Sequence, residues 1–333
     1  MRTVKSANLH AVNDLRYENT PFPQRGDDEV IIEVKSCGIC GSDIGRVYKK
    51  GTYHFPTIIG HEFSGKIVEA EDKALIGKKA VIFPLRPCFE CESCKEGSYA
   101  TCSNYDYYGS RRDGGMTEYI AVKEWNVLLM PEGLSYDEGA MCEPTSVARH
   151  AVSKLGIKKG ESVIISGAGP IGLIAGQWAR SFGADGVMYI DIDRRKIDFA
   201  KELGFSEYKD GMSADCFIEG TGFSDALKTC LEAAKPHARG VFMGNPAGDM
   251  VLSQDTYWNI LRKELRIFGT WNSSYNDTQN DWKESLKSMA AGTIDVKKLI
   301  THRFPLSECN KAFEMMKNKT EFYNKVMLNM NRE

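Results

Sequence analysis

Ser162-Val163-Ile164-Ile165-Ser166-Gly167-Ala168-Gly169-Pro170-Ile171-Gly172 is the stretch whose reading decides the fold. Its first five residues form the apolar run of a buried strand, and a helix is expected over Pro170–Phe182. A bare Gly-x-Gly-x-x-Gly is a weak signal, as often a turn as a nucleotide site. Here the context is right, with a strand before it, a helix after it, and Asp191 at the end of the next strand, 19 residues beyond Gly172. Gly167 would make the tight turn and Gly169 would admit the pyrophosphate, with Pro170 and Ile171 opening the helix. Gly172 would let helix and strand pack closely, and the helix N-terminus would face the phosphates. A carboxylate at Asp191 would accept both ribose hydroxyls and repel a 2′-phosphate, selecting NAD over NADP; Arg194 and Arg195 would soften that choice. The plainer reading of Asp191 is a cap on the following helix.

The same rhythm continues on the C-terminal side. Strands at Val187–Ile190, Asp215–Ile218, Gly240–Met243 and Leu265–Phe268 alternate with helices at Arg194–Leu203 and Ser224–Ala234. This βαβα order predicts an α/β fold, a Rossmann-type doubly wound parallel sheet. On the N-terminal side the texture is different. Val30–Val34, Ala80–Phe83 and Thr117–Val122 are short β-rich runs between glycines and charges, as in a barrel-like β domain that carries its sites on loops. Ser135-Tyr136-Asp137-Glu138 is a capping box; Pro144 is expected to interrupt that helix, with a fresh one over Thr145–Leu155. Helices and a final strand at Lys325–Asn329 follow Trp271.

At 333 residues two domains are expected. A net charge of −2 argues against a nucleic-acid or anionic-membrane surface. The longest apolar run, Val163–Ala175, contains three glycines and a proline and cannot be a membrane span. Met1–Ser6 opens no export signal, so a soluble cytoplasmic protein is expected. The ten cysteines then read as thiols in a reducing compartment.

Four of them, Cys88-x2-Cys91-x2-Cys94-x7-Cys102, fall within 15 residues. Four thiolates close a tetrahedral zinc shell and leave no position for substrate, so this site is expected to be structural. An iron–sulfur cluster is the chemical rival, against which the x7 spacing and the single run argue. A zinc ribbon for nucleic acid would want basic neighbours, whereas Glu90, Glu92 and Glu96 are acidic.

Quieter candidates are Cys40 in Gly38–Asp43, His61 and Glu62 in Gly60–Gly65, and Glu143 before Pro144. Singly, each has a bland reading: a small buried hydrophobe, a loop histidine, a helix-start charge. A His-Glu-x-x-His protease would need a histidine at 65, where Gly65 stands. Together, Cys40-Gly41-Ser42-Asp43, Gly60-His61-Glu62-x-x-Gly65, the four-cysteine lobe and Ala168-Gly169-Pro170-Ile171-Gly172-Leu173 resemble the zinc-containing medium-chain dehydrogenase/reductase family over essentially the whole chain. Glu143 in Cys142-Glu143-Pro144 is similar to its polyol branch. The resemblance implies a GroES-like catalytic domain over 1–146 and 275–333, with a zinc lobe at about 86–104, and an NAD-binding domain over 147–274. It implies two zinc ions per chain: a structural one in the lobe and a catalytic one on Cys40, His61 and Glu143. Glu62 would be an adjacent or alternating ligand, and a shifted register would put Cys142 in place of Glu143. Such a zinc would acidify a substrate hydroxyl, with hydride passing to NAD and the proton leaving through Ser42. Many relatives have a relay histidine where this chain has Gly45, which leaves the rest of the relay to water or ribose.

Cys102–Gly115, Ile260–Leu265 with Gly269-Thr270-Trp271, and Gly45-Arg46 resemble a subgroup that oxidises galactitol 1-phosphate. Asn272 stands near where sorbitol dehydrogenases place an arginine. A phosphorylated polyol would need cations, for which Arg46, Lys49, Arg111 and Arg112 are candidates; their alternative reading is solvated surface charge. The expectation is NAD-linked oxidation of a polyol phosphate, galactitol 1-phosphate to tagatose 6-phosphate, by a homodimer or homotetramer. The alternatives are an unphosphorylated polyol or threonine dehydrogenase, or a non-catalytic nucleotide- or RNA-binding member of the family.

Overall fold

Six strands in residues 144–273 lie in the order Ser206–Glu207, Gly186–Ile190, Ser162–Ser166, Ala214–Glu219, Ala234–Phe242, Arg266–Gly269, and every neighbouring pair is parallel. The order reverses at Ser162–Ser166, so the C-terminal end of that strand is the topological switch point where such sheets bind ligands. Val163, Ile164 and Ile165 are fully buried, which is why this strand reads as an unbroken apolar run. The helix that follows it is Pro170–Ser181, with Pro170 in its first turn, where the missing N–H costs nothing. Arg194–Glu202 is capped by Asp193, whose side chain accepts from the Arg195 amide at 3.0 Å. This is the Rossmann sheet expected from the sequence.

The computed structural model describes residues 2–246 and 248–330. It divides the chain into two units, Met1–Glu143 with Ser274–Glu333, and Pro144–Ser273. The expected capping box is formed, Ser135 accepting from the Glu138 amide and Glu138 from the Ser135 amide. One helix start differs from expectation. The helix Cys142–Ser153 runs through Pro144 rather than restarting at Thr145, because the proline falls within its first turn.

The first unit carries a mainly antiparallel sheet in the order Val127–Leu129, Lys79–Ile82, Glu62–Glu69, Glu29–Ile39, Lys325–Asn329, Ile300–Pro305, with Tyr119–Lys123 also on Glu29–Ile39. A smaller sheet joins Asp14–Pro21, Thr3–Ala11 and Thr57–Ile58. The β-rich character was expected, but the strand Ile300–Pro305, parallel to Lys325–Asn329, was not. Ile32, Val34, Phe63, Ile67, Val326 and Leu328 fill the core of this unit. The register matters for the site. Glu29–Ile39 is central, with Gly38 opposite Glu62 on one side and Ile39 opposite Val326 on the other. A side chain at Gly38 would collide with both the Glu62 carboxylate and the Lys325 side chain. Among the described residues no helix is long and apolar enough to cross a membrane.

Candidate metal centres and cofactor loop

The four cysteines of the lobe converge, their sulfurs all lying within 4.8 Å of one another. The sulfur of Cys88 is 3.5 Å from that of Cys102 and 3.9 Å from that of Cys94, far beyond a disulfide bond of about 2.05 Å. Backbone amides are aimed at the sulfurs: Cys88 N–H donates to Cys102 Sγ at 3.3 Å, and Cys91 N–H to Cys88 Sγ at 3.4 Å. Backbone donors at Ser103 and Cys94 bring the Cys91 thiol down to about 6, so thiolate is favoured there near neutrality. Four soft donors in a small shell fit a structural zinc.

The quieter cluster also assembles. Cys40 caps the short helix Gly41–Gly45, its sulfur accepting from the Ser42 amide at 3.5 Å while Asp43 accepts from the Cys40 amide at 3.1 Å. His61 follows Gly60, which turns the chain at φ +95°, and Glu62 begins the strand Glu62–Glu69. The ligand atoms of Cys40, His61 and Glu62 lie within 4.8 Å of one another. His61 Nδ1 is 3.5 Å from Asp43 Oδ1, too long for a well-formed hydrogen bond, and is an orphaned buried nitrogen. Burial resists charge on His61, but Asp43 beside it more than compensates and pushes the imidazole well above its usual range. Asp43 in turn is held down to about 2: its burial opposes ionisation, but His61 and Arg46 outweigh it. A thiol, an imidazole and a carboxylate whose ligand atoms lie this close together fit a catalytic zinc, and the buried Asp43, on the Nδ1 side of the ring, would orient the histidine from behind.

Glu143 lies outside that tight trio. Its carboxylate is buried and accepts from the Tyr107 hydroxyl at 3.4 Å, and the Tyr107 ring centroid is 5.7 Å from that of His61. Burial raises the Glu143 carboxyl to about 7. Cys142, by contrast, turns its thiol to the Trp282 carbonyl at 3.8 Å. Of these two neighbours it is therefore Glu143 whose carboxylate comes near the cluster.

Two residues here carried no sequence signal. Lys325 opens the last strand of the sheet, is 3% exposed, forms an ion pair with Glu62 and donates to the Ile39 carbonyl at 3.2 Å. A single lysine at the head of a strand belongs to no motif, and its partner lies 263 residues away. Tyr107, between His61 and Glu143, was one of three tyrosines in a loop.

The residues proposed for proton relay and substrate fare differently. Ser42 Oγ accepts from Arg46 Nη1 at 2.8 Å, and the same nitrogen is 2.8 Å from Asp43 Oδ1. Arg112 donates through Nε to Asp106 at 2.6 Å. Lys49 is exposed. Arg111 lies against the rings of Tyr53 and Tyr105, and its buried Nε has no acceptor. Asn272 belongs to the other unit, at φ +54°, and accepts from the Ser273 hydroxyl at 3.1 Å.

In the second unit Gly167 turns the chain at φ +96° and donates to the Ile190 carbonyl at 2.8 Å. A side chain at Gly172 would run into the Gly167 carbonyl, whereas the space beside Gly169 is open for 4 Å. The loop therefore keeps a bare backbone face at the start of the helix, a cradle that fits a pyrophosphate. Asp191 is fixed by two amides, Ala168 N–H at 2.8 Å to one oxygen and Asp193 N–H at 2.9 Å to the other, each oxygen keeping a lone pair for a ribose hydroxyl. Arg194 is paired with Asp198 and Glu207, and Arg195 with Asp193.

A nucleotide-binding sheet and two zinc-competent clusters in one chain define a zinc-containing dehydrogenase. Residues 26–132 match the alcohol dehydrogenase GroES-like domain, and residues 170–291 match the zinc-binding dehydrogenase domain. The chain is 35% identical to galactitol 1-phosphate 5-dehydrogenase of Escherichia coli (strain K12), over 88% of this chain and 91% of that one. It is 31% identical to a sorbitol dehydrogenase of Bombyx mori, over 94% and 95%. The crystal structure of galactitol-1-phosphate dehydrogenase from Escherichia coli superposes with a TM-score of 0.90 at 32% identity, over 98% of this chain and all of that one. The chain belongs to the zinc-binding alcohol dehydrogenase family, within its polyol dehydrogenases, and is an oxidoreductase.

Proposed function

We propose that this enzyme oxidises a secondary hydroxyl of a polyol phosphate to the ketose phosphate, galactitol 1-phosphate to tagatose 6-phosphate, with NAD as acceptor. The balance is R2CHOH + NAD⁺ → R2C=O + NADH + H⁺. The observation that carries the reading is the Cys40–His61–Glu62 trio, its histidine and glutamate buried, with the Ser42 hydroxyl two residues from Cys40.

Cys40 and His61 would hold a zinc ion together with a carboxylate from Glu143 or Glu62, and that ion, when bound, supplies Lewis acidity that lowers the pKa of a coordinated hydroxyl. NAD, cradled by Gly167–Gly172, supplies the hydride acceptor. The chain's own groups do the rest. Asp43 keeps His61 in place, Lys325 is the counter-ion of Glu62, and Ser42 would relay the alcohol's proton, accepting it while its own hydroxyl proton passes on to water or the cofactor ribose. Arg46 fixes the Ser42 oxygen and takes no proton itself, since guanidinium stays charged. Asp191, fixed by two amides, would accept the ribose hydroxyls and repel a 2′-phosphate, while the arginines after it pair with neighbouring carboxylates. NAD over NADP follows.

The outer edge of Arg266–Gly269 has no partner strand among the described residues, and Phe268 and Trp271 are 38% and 53% exposed there. That edge supports a homodimer formed by strand pairing. None of the ten cysteines is paired in a disulfide, which fits a cytoplasmic location.

Initial rates with NAD on galactitol 1-phosphate, sorbitol and threonine test the substrate. A clear preference for the phosphate ester supports the reading. Equal or better turnover of sorbitol would make it an unphosphorylated-polyol dehydrogenase, and of threonine an amino-acid one.

A further inference from the structure

Of the four cations that the sequence offers for a phosphate, Lys49 is exposed, and the fold separates the three arginines. Arg46 is committed to Asp43 and Ser42, each at 2.8 Å, and Arg112 to Asp106 at 2.6 Å. Arg111 has no such commitment. Among the described residues it has no carboxylate partner, and its Nε is buried without an acceptor. Its guanidinium carbon instead sits 4.0 Å from the Tyr53 ring centroid and 4.6 Å from that of Tyr105.

This placement is built. The Tyr53 amide donates to the Ser110 carbonyl at 3.2 Å, and the His54 ring nitrogen Nε2 lies 3.1 Å from the Arg111 carbonyl, so the two loops carrying the clamp are tied together. The Arg111 loop is also pinned beside the metal-binding cluster. Side chains at Gly109 or Gly114 would collide with the Gly60 carbonyl, and the Gly115 amide donates to that carbonyl at 2.8 Å. Gly60 immediately precedes His61. From the clamp inward, Tyr105 contacts Tyr107 with centroids 6.3 Å apart, and Tyr107 contacts His61 at 5.7 Å.

A guanidinium held against aromatic rings has its face occupied and its in-plane N–H donors left over, an arrangement suited to accepting an oxyanion in bidentate fashion. Arg111 Nε is left without a protein acceptor in this arrangement, so an oxyanion arriving at the guanidinium meets no competing carboxylate. We propose that Arg111, clamped by Tyr53 and Tyr105, binds the phosphate of the polyol phosphate, while Arg46 and Arg112 do not. This rests on the substrate reading above and names the residue that recognises its charged end.

The test compares kcat/KM for galactitol 1-phosphate and for galactitol in the wild-type enzyme, Arg111→Gln and Arg111→Lys, with the KM for NAD and the melting temperature of each. Arg111→Gln should lower the ratio of the two kcat/KM values by about 10- to 100-fold, the loss expected for a charge-assisted pair. Arg111→Lys keeps the charge and loses the planar fork, so its ratio should fall between. An unchanged ratio in both variants overturns the proposal. So does a raised KM for NAD with the ratio intact, which would place the guanidinium at the dinucleotide's phosphates instead. If the wild-type enzyme itself shows no preference for the ester, the substrate reading fails and Arg111 with it. If wild type prefers the ester and both variants keep that preference, the Arg111 assignment alone fails.

Discussion

Lys325 and Glu62 meet as a buried ion pair above Gly38, from strands on either side of Glu29–Ile39, with side chains 3% and 2% exposed. The pair settles where Glu62 is: beside Cys40 and His61, yet neutralised by a fixed ammonium. Removing one member leaves a buried charge without a partner. Lys325→Met is therefore expected to lower the unfolding free energy by about 3–5 kcal/mol. Adding Glu62→Gln should recover much of that loss. Urea unfolding of the zinc-loaded proteins measures both, and a change below about 1 kcal/mol in the single variant would contradict the pair's structural weight.

The four-cysteine lobe is expected to contribute stability and no chemistry. Cys91→Ser should reduce zinc from two ions per chain towards one and lower the melting temperature. Residual turnover should track the fraction still folded. Unchanged melting with one zinc lost would remove the structural role.

Asp191 should govern cofactor choice. Asp191→Ser is expected to lower kcat/KM for NAD by about 10- to 100-fold, the scale of losing hydrogen bonds to a charged acceptor, and to raise that for NADP by relieving repulsion. Steady-state kinetics with both dinucleotides decides it; an unaltered NAD/NADP ratio would leave Asp191 as a loop anchor only.

Acid should weaken the nucleotide-binding sheet through Asp215. Burial works against its ionisation, but the Ser162 amide at 2.9 Å, the Ser162 hydroxyl at 2.7 Å and the Lys235 ammonium at 2.9 Å bring the carboxyl down to about 2. The folded pKa is below the unfolded one of about 3.9. Its stabilisation is thus fully present above about pH 4 and lost as pH falls towards 2. After allowing for partial solvent screening this amounts to about 1–2 kcal/mol. Asp215→Asn should flatten the stability profile between pH 4 and pH 2; an unchanged slope there would exclude this group.

The sequence made the nucleotide-binding half legible because its signals are local. An apolar strand, three glycines at fixed spacing and a following helix are all contained in Ser162–Ser181. The four-cysteine lobe is equally local. The remainder depends on partners far apart in the chain. Ile300–Pro305 escaped notice because His302, Arg303 and Pro305 interrupt any apolar alternation, and the strand exists by pairing with Lys325–Asn329. Lys325 gains its meaning only from Glu62. Arg46, Arg111 and Arg112 look alike in sequence; only the fold engages the first with Asp43 and the third with Asp106. The i,i+3 spacing of Asp43 and Arg46 was the one visible hint.

The most direct test of the account is zinc content and turnover measured together on wild type and Cys40→Ser. The wild-type enzyme should hold two zinc ions per chain and reduce NAD with galactitol 1-phosphate. Cys40→Ser should keep one zinc and the wild-type melting temperature while losing turnover by at least about a thousandfold, as expected when the group that acidifies the alcohol is gone. Full activity in Cys40→Ser, or a wild-type enzyme that turns over with only the lobe zinc present, would contradict it.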